Sequence, residues 1–144
     1  MPKFVKDIMN KQPKAITPND PLHKAAALMH KHDISHLPVI DENRKVVGHI
    51  HANDVLKAIA EQQPHTTPVK RVMNTTPIKI PEKTPIAEAA AQMAKARVKG
   101  ASIINEHGEL SGFVHARDIE KMPNGKLHVE QIYNAYKHQT KKAA

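Results

Sequence analysis

Cysteine and tryptophan are both absent from this chain, and only Phe4, Phe113, Tyr133 and Tyr136 supply aromatic rings. Without cysteine there are no disulfides and no thiolate metal sites, which suits a reducing compartment, and a cytoplasmic location is expected. So few rings leave no stacking platform for single-stranded nucleic acid. No apolar run approaches the roughly eighteen residues of a membrane span. The opening MPKFVKDIMNKQPK holds no apolar stretch of signal-peptide length. We therefore expect a soluble protein with no membrane partner. The signatures of catalysis are missing too: there is no cysteine nucleophile, G-x-S-x-G elbow, P-loop or G-x-G-x-x-G turn. Binding rather than catalysis is the expected class, and no cofactor is required.

Basic charge, by contrast, is plentiful, at a formal net +8. Such a balance favours acidic partners: nucleic acid, phosphate-bearing ligands or an acidic protein surface. The lysines are dispersed, however, apart from a short cluster at Lys137 to Lys142. A solvated basic surface is expected in preference to a nucleic-acid interface.

The chain is written twice. GHIHAND (Gly48 to Asp54) returns 64 residues later as GFVHARD (Gly112 to Asp118). The same offset, without a gap, pairs Val5-Lys6 with Val69-Lys70, Met9-Asn10 with Met73-Asn74, and Ala25-Ala26-Ala27 with Ala89-Ala90-Ala91. Two copies at this period are too few for a solenoid. They point to a closed pair about a pseudo-twofold axis.

Each copy reads as strand, helix, strand, strand, helix. Leu22, Ala25, Ala26 and Met29 make one apolar helix face, as do Ile86, Ala89, Ala90 and Met93. Asp20 and Pro21 suit the N-cap and first position of the first of these helices, and Thr84 and Pro85 those of the second. Two β-branched runs joined by the turn ENRK, and again by EHGE, form hairpins. The expected fold is α/β: two βαββα repeats packed around a pseudo-twofold axis, with an additional C-terminal helix. Residues 1–64 form the first repeat with its lead-in, 65–125 the second, and 126–144 the last helix and a basic tail. Val129, Ile132, Tyr133 and Tyr136 give that helix an apolar face, expected to pack on its own module. The tail is expected to be frayed and solvated.

In the heptapeptide a strand ends and a helix opens. His51 and His115 fall at the N-cap, with Asp54 and Asp118 at the third helical position. The plain structural role of those aspartates is to complement the helix dipole. A helix start also presents unpaired N–H groups suited to phosphate, and a carboxylate there can accept bonds from ribose hydroxyls. The leading glycine lets the backbone pass close to a ligand or a neighbouring strand. His49 and His51, as H-x-H on a strand, share one face and suit a metal. The position matching His49 is Phe113 and no third ligand is evident, so no metal is assigned to His49, His51 or His115. A pH response is the related option.

The combined pattern, an M-N/T-x-x-P lead-in, an L-P-V-I-D strand and a G-h-h-x-x-x-D ending at a fixed offset, resembles a tandem pair of CBS domains, the Bateman module. The resemblance runs from about Val5 to Met122. It implies two repeats packed through their sheets, with two clefts between them for adenosine-bearing ligands: AMP, ADP, ATP, S-adenosylmethionine or NAD(H). It implies a regulatory role, pairing into a homodimer, and an effector protein whose identity the sequence does not give. By the resemblance, Asp54 and Asp118 bind ribose. Ile16, Thr17, His36, Leu37 and Pro38 line the base in one copy, and Ile80, Pro81, Gly100, Ala101 and Ser102 in the other. Arg117 meets a phosphate, where its counterpart Asn53 is neutral, which makes the Asp118 side the better site for a charged nucleotide. The chain departs from the family in one respect. Ser or Thr is usual three residues before the aspartate, and here both copies carry histidine. Either the imidazoles replace that hydroxyl at a ligand, or they fill the clefts and leave a ligand-free structural and dimerisation module, or they serve a metal or pH sensor.

Overall fold

The computed structural model describes residues 2–143, with side chains as far as Lys137. The chain divides into two compact units, one made of Pro13–Pro77 with Gly108–Leu110, the other of Met1–Gln12, Ile78–His107 and Ser111–Ala144. These units are not the sequence copies cut end to end. The lead-in of each copy belongs to the unit built from the other.

The first unit contains α1 (Leu22–His32), a hairpin of β1 (His36–Ile40) and β2 (Val46–His51), and α2 (Ala52–Ala60). Leu22, Ala25 and Met29 are buried on one face of α1, as their spacing predicts. The cap lies one residue later than the sequence pattern placed it. Pro21 is the N-cap, because the Asp20 carboxylate is spent on Thr17, accepting its N–H at 2.9 Å and its hydroxyl at 2.8 Å. Pro85 likewise precedes the corresponding helix of the second unit. β1 and β2 are antiparallel, with His36 opposite His51 and Pro38 opposite His49, and a register shift between Val39 and Ile40. Ile16, Leu37, Val39, Ile50 and Val55 share one buried cluster, which Val69 from the second lead-in completes.

The second unit contains β3 (Lys79–Pro81), α3 (Ile86–Ala96), β4 (Gly100–Ile104), β5 (Leu110–His115), α4 (Ala116–Glu120) and α5 (Gly125–Ala143). Its strands run in the order β3-β4-β5, with β3 parallel to β4. Glu82 extends that pairing by donating its N–H to the Ile104 carbonyl at 3.0 Å. In the first unit the matching residue is Pro18, which has no N–H to give. There the first strand shrinks to a single bridge between Ile16 and Val39. Val5, from the first lead-in, is fully buried among Ile80, Met93, Ile103, Val114 and Ile119, and its N–H donates to the Thr84 carbonyl at 2.8 Å.

The C-terminal helix packs at home. Val129 and Ile132 are buried in this unit's core, the Tyr133 hydroxyl donates to Glu120 Oε2 at 3.2 Å, and Lys99 Nζ sits 4.3 Å above the Tyr136 ring. A turn with Asn124 at φ 60° separates α4 from α5. It is tight enough that a Cβ on Gly125 would collide with the Ile119 carbonyl oxygen. The basic tail beyond Lys137, expected to be frayed, lies outside the described side chains. No helix among the described residues is long and apolar enough to cross a membrane.

Candidate functional site

The two heptapeptides fold alike, one in each unit. Both histidines are N-caps, of α2 and α4 respectively, and both have extended backbone. His51 Nδ1 accepts the Asn53 N–H at 3.0 Å, and the His51 N–H donates to Asp54 Oδ2 at 2.8 Å. His115 Nδ1 accepts the Arg117 N–H at 3.2 Å, and the His115 N–H donates to Asp118 Oδ2 at 2.9 Å. This is a reciprocal capping box with imidazole in place of the usual hydroxyl. It satisfies two amide donors that a helix start otherwise leaves open. Asp54 and Asp118 are half-buried and commit one oxygen each to the box, while Asn53 and Arg117 are exposed beside them.

The residues expected to line a base are divided by the sheets. Ile16, Leu37, Ile80 and Ala101 direct their side chains into the two cores, so a ligand would meet only their backbone. Thr17 has both its donors committed to Asp20, and Pro81 is exposed. Pro38, Gly100 and Ser102 are buried and His36 is half-buried. The Ser102 hydroxyl is the one buried side-chain polar atom among the described residues with no hydrogen-bond partner.

Sequence reasoning missed a cluster that only the hairpin register reveals. With His36 opposite His51 and Pro38 opposite His49, three imidazoles share one face of the β1–β2 sheet. His36 Nδ1 lies 3.1 Å from His49 Nε2, and the His36 and His51 rings meet edge to face with centroids 4.6 Å apart. Burial, and secondarily the neighbouring His51, push His49 down to about 4. The matching positions in the other unit are Gly100, Phe113 and His115, so the crowding there is less. The usable signal was the H-x-H of β2, but its third member sits fifteen residues upstream of His51 on another strand. No group of three or more His, Asp or Glu among the described residues is placed to hold an ion. His51 and His115 also spend their Nδ1 lone pairs on backbone amides.

Known proteins resemble the chain over most of its length. The family model for the CBS domain matches twice, over residues 5–61 and 69–123. L-aspartate semialdehyde sulfurtransferase of Methanocaldococcus jannaschii is 32% identical over 123 residues, which is 85% of this chain and 24% of that protein. Inosine-5′-monophosphate dehydrogenase of Korarchaeum cryptofilum is 38% identical over 105 residues, 72% of this chain and 21% of that protein. The chain thus spans about a quarter of the length of these relatives. Among solved structures, the CBS domain pair of protein MJ0100 in complex with 5′-methylthioadenosine and S-adenosyl-L-methionine is 32% identical. It aligns over 87% of this chain and 99% of that one, with a TM-score of 0.77. A conserved CBS domain protein of Thermoplasma acidophilum, 20% identical, shares the fold over 95% of this chain and 78% of its own, with a TM-score of 0.84. With two family matches that between them cover most of the chain, each on one copy of the repeat, this protein belongs to the CBS-domain family as a tandem pair.

Proposed function

We propose that this chain is a regulatory module that binds an adenosine-bearing ligand through Asp54 and Asp118, one site on each unit. One observation carries the reading. At both strand-to-helix junctions the aspartate gives a single oxygen to the capping box, which holds the carboxylate rigidly and leaves its other oxygen for a ligand's vicinal hydroxyls. The orphaned hydroxyl of Ser102 supports a polar ligand group on the second unit, since a buried hydroxyl without a partner is costly to keep. The relative crystallised with 5′-methylthioadenosine and S-adenosyl-L-methionine supports adenosine as the shared chemistry. AMP, ADP, ATP and NAD(H) carry the same nucleoside.

The Asp118 side is the better site for a phosphate-bearing ligand. Arg117 stands next to it, and the position of His36 is taken by Gly100. On the Asp54 side the three imidazoles occupy the equivalent face. The module acts by binding rather than catalysis. It works as a homodimer and passes its state to an effector protein through differential ligand affinity for two conformations.

A thermal-shift and calorimetric series with AMP, ADP, ATP, S-adenosylmethionine and NADH tests the reading. Binding stabilises the folded state by mass action. Asp118→Ala is expected to remove the larger part of the shift with AMP, and Asp54→Ala the smaller. A shift that survives both substitutions rejects these sites. No shift with any of the five leaves the module structural.

A further inference from the structure

We propose that the α1–α2 face of the first unit docks an acidic amphipathic helix of a partner protein. The inference gives a chemistry to the effector protein of the reading above, and rests on that reading for the partner's role alone.

The two units repeat one sequence pattern but finish this face differently. In the second unit α5 packs against α3 and α4. There Ala90, Met93, Ala116 and Ile119 are fully buried in one core with Val129 and Ile132 of α5. The first unit has no α-helix after α2 among the described residues. Its matching residues, 64 positions earlier, are Ala26, Met29, Ala52 and Val55. Of these, Ala26 and Ala52 are only partly buried. Next to them on α2, Leu56 and Ile59 are 62% and 60% exposed. Ala52, Leu56 and Ile59 recur at i, i+4 and i+7, so a whole apolar stripe of α2 is open.

Two contacts in the second unit identify the occupant as a helix other than α5. Tyr133 of α5 donates its hydroxyl to Glu120, and Lys99 lies over the Tyr136 ring. The positions matching Glu120 and Lys99 are Leu56 and Ser35. A helix like α5 would set a tyrosine hydroxyl against leucine there and lose its cation. The occupant must instead bring apolar side chains to Leu56 and Ile59, the anchors of a helix laid in a groove. Its flanks are set by charge. α1 holds no acidic residue, and His30 and Lys31 of α1 and Lys57 of α2 are exposed. The sole acid of α2, Asp54, gives one oxygen to its capping box. Two copies of this face would oppose lysine to lysine, whereas glutamates beside the partner's apolar stripe complement it.

The test uses the full chain without nucleotide, so its outcome is independent of adenosine binding. The probe is a synthetic helix of about three turns, with leucine at i, i+4 and i+7 and glutamate elsewhere; a second probe carries lysine for glutamate. The acidic probe is expected to bind and to shift amide resonances of α1 and α2. Leu56→Ser/Ile59→Ser, at two exposed positions, should weaken it by about tenfold or more, given the apolar area lost. Lys31→Glu/Lys57→Glu should reverse the preference between the two probes. No binding, equal binding of both probes, or shifts confined to α5 each overturns the proposal. Light scattering provides the second arm. A dimer that Leu56→Ser/Ile59→Ser converts to monomer would give the face to a second copy and overturn it too. Phosphatidylserine vesicles held through these same residues, in place of the peptide, would do the same.

Discussion

The side chain of Met9 lies across Gly112 so closely that a Cβ on the glycine would overlap the methionine sulfur. Met73 covers Gly48 in the same way. Around each contact the backbones bond in both directions: Asn10 and Phe113 exchange bonds of 2.9 and 3.0 Å, and Asn74 and His49 bonds of 2.8 and 3.0 Å. The glycine that opens each heptapeptide therefore serves a crossing chain, the lead-in of the other copy. A mechanical requirement explains why it sits three residues before the capping histidine.

Gly112→Ala is expected to destabilise the protein by about 1–3 kcal/mol, the usual range for overpacking a tight site. The three nearest neighbours of the added methyl are all Met9 side-chain atoms, so Met9→Ala in the same chain should recover part of the loss. Gly48→Ala is less forgiving. The Asn74 carbonyl oxygen would stand 3.0 Å from the new methyl, and backbone does not yield as a thioether does. Urea denaturation of both single and both double variants separates the cases. Equal recovery by Met9→Ala and Met73→Ala would show that the backbone contact is not limiting.

The imidazole caps make a second expectation. His115→Ala removes the acceptor for the Arg117 amide and should cost about 1 kcal/mol, the ordinary value of an N-cap. His115→Ser, which supplies a better cap, should be neutral or stabilising by a few tenths of a kcal/mol. Asp118→Ala breaks the other half of the box and should cost about as much as His115→Ala. Chemical denaturation at neutral pH gives all three. A serine variant as unstable as the alanine one would mean the ring is held for its packing and not for its lone pair.

Much of this is legible in the sequence itself. Repeats at a fixed offset carried the two α/β units, and the H-A-x-D pattern carried the caps, because both depend on local spacing. Three features were not legible. The single bridge at Ile16 follows from Pro18 lacking an N–H, a one-residue effect that a strand pattern averages away. The exchange of lead-ins depends on which core Val5 and Val69 complete, and identical residues in both copies give no preference. The imidazole cluster needs the hairpin register, which the shift between Val39 and Ile40 sets locally.

Ser102 separates stability from binding. Its hydroxyl is buried without a partner, and such a group costs roughly 1–3 kcal/mol relative to a satisfied one. Ser102→Ala should therefore leave the ligand-free protein equally stable or raise its stability by about 1 kcal/mol, unlike a typical core truncation. If the hydroxyl meets a ligand, the same variant should show a smaller thermal shift with AMP than the natural chain. A large drop in stability without ligand would indicate that the hydroxyl has a structural role.

His49 ties the first unit to pH. Its pKa falls from 6.5 to about 4, chiefly through burial and then through the neighbouring His51. His36 Nδ1 also faces it, at 3.1 Å. The folded chain thus keeps His49 neutral in a range where the unfolded chain binds a proton. Where the unfolded state holds more protons, stability rises with pH. The contribution of His49 is complete above pH 6.5 and is lost as the pH falls from 6.5 towards 4. Its full size is up to roughly 3 kcal/mol, from the free energy of a pKa displacement. His49→Phe, which installs the residue found at the matching position 113, removes the titrating group and should flatten the pH dependence across that window. Urea unfolding at pH 7.5, 6, 5 and 4.5 measures the slopes, and equal slopes for the two chains would place the pH sensitivity on some other group.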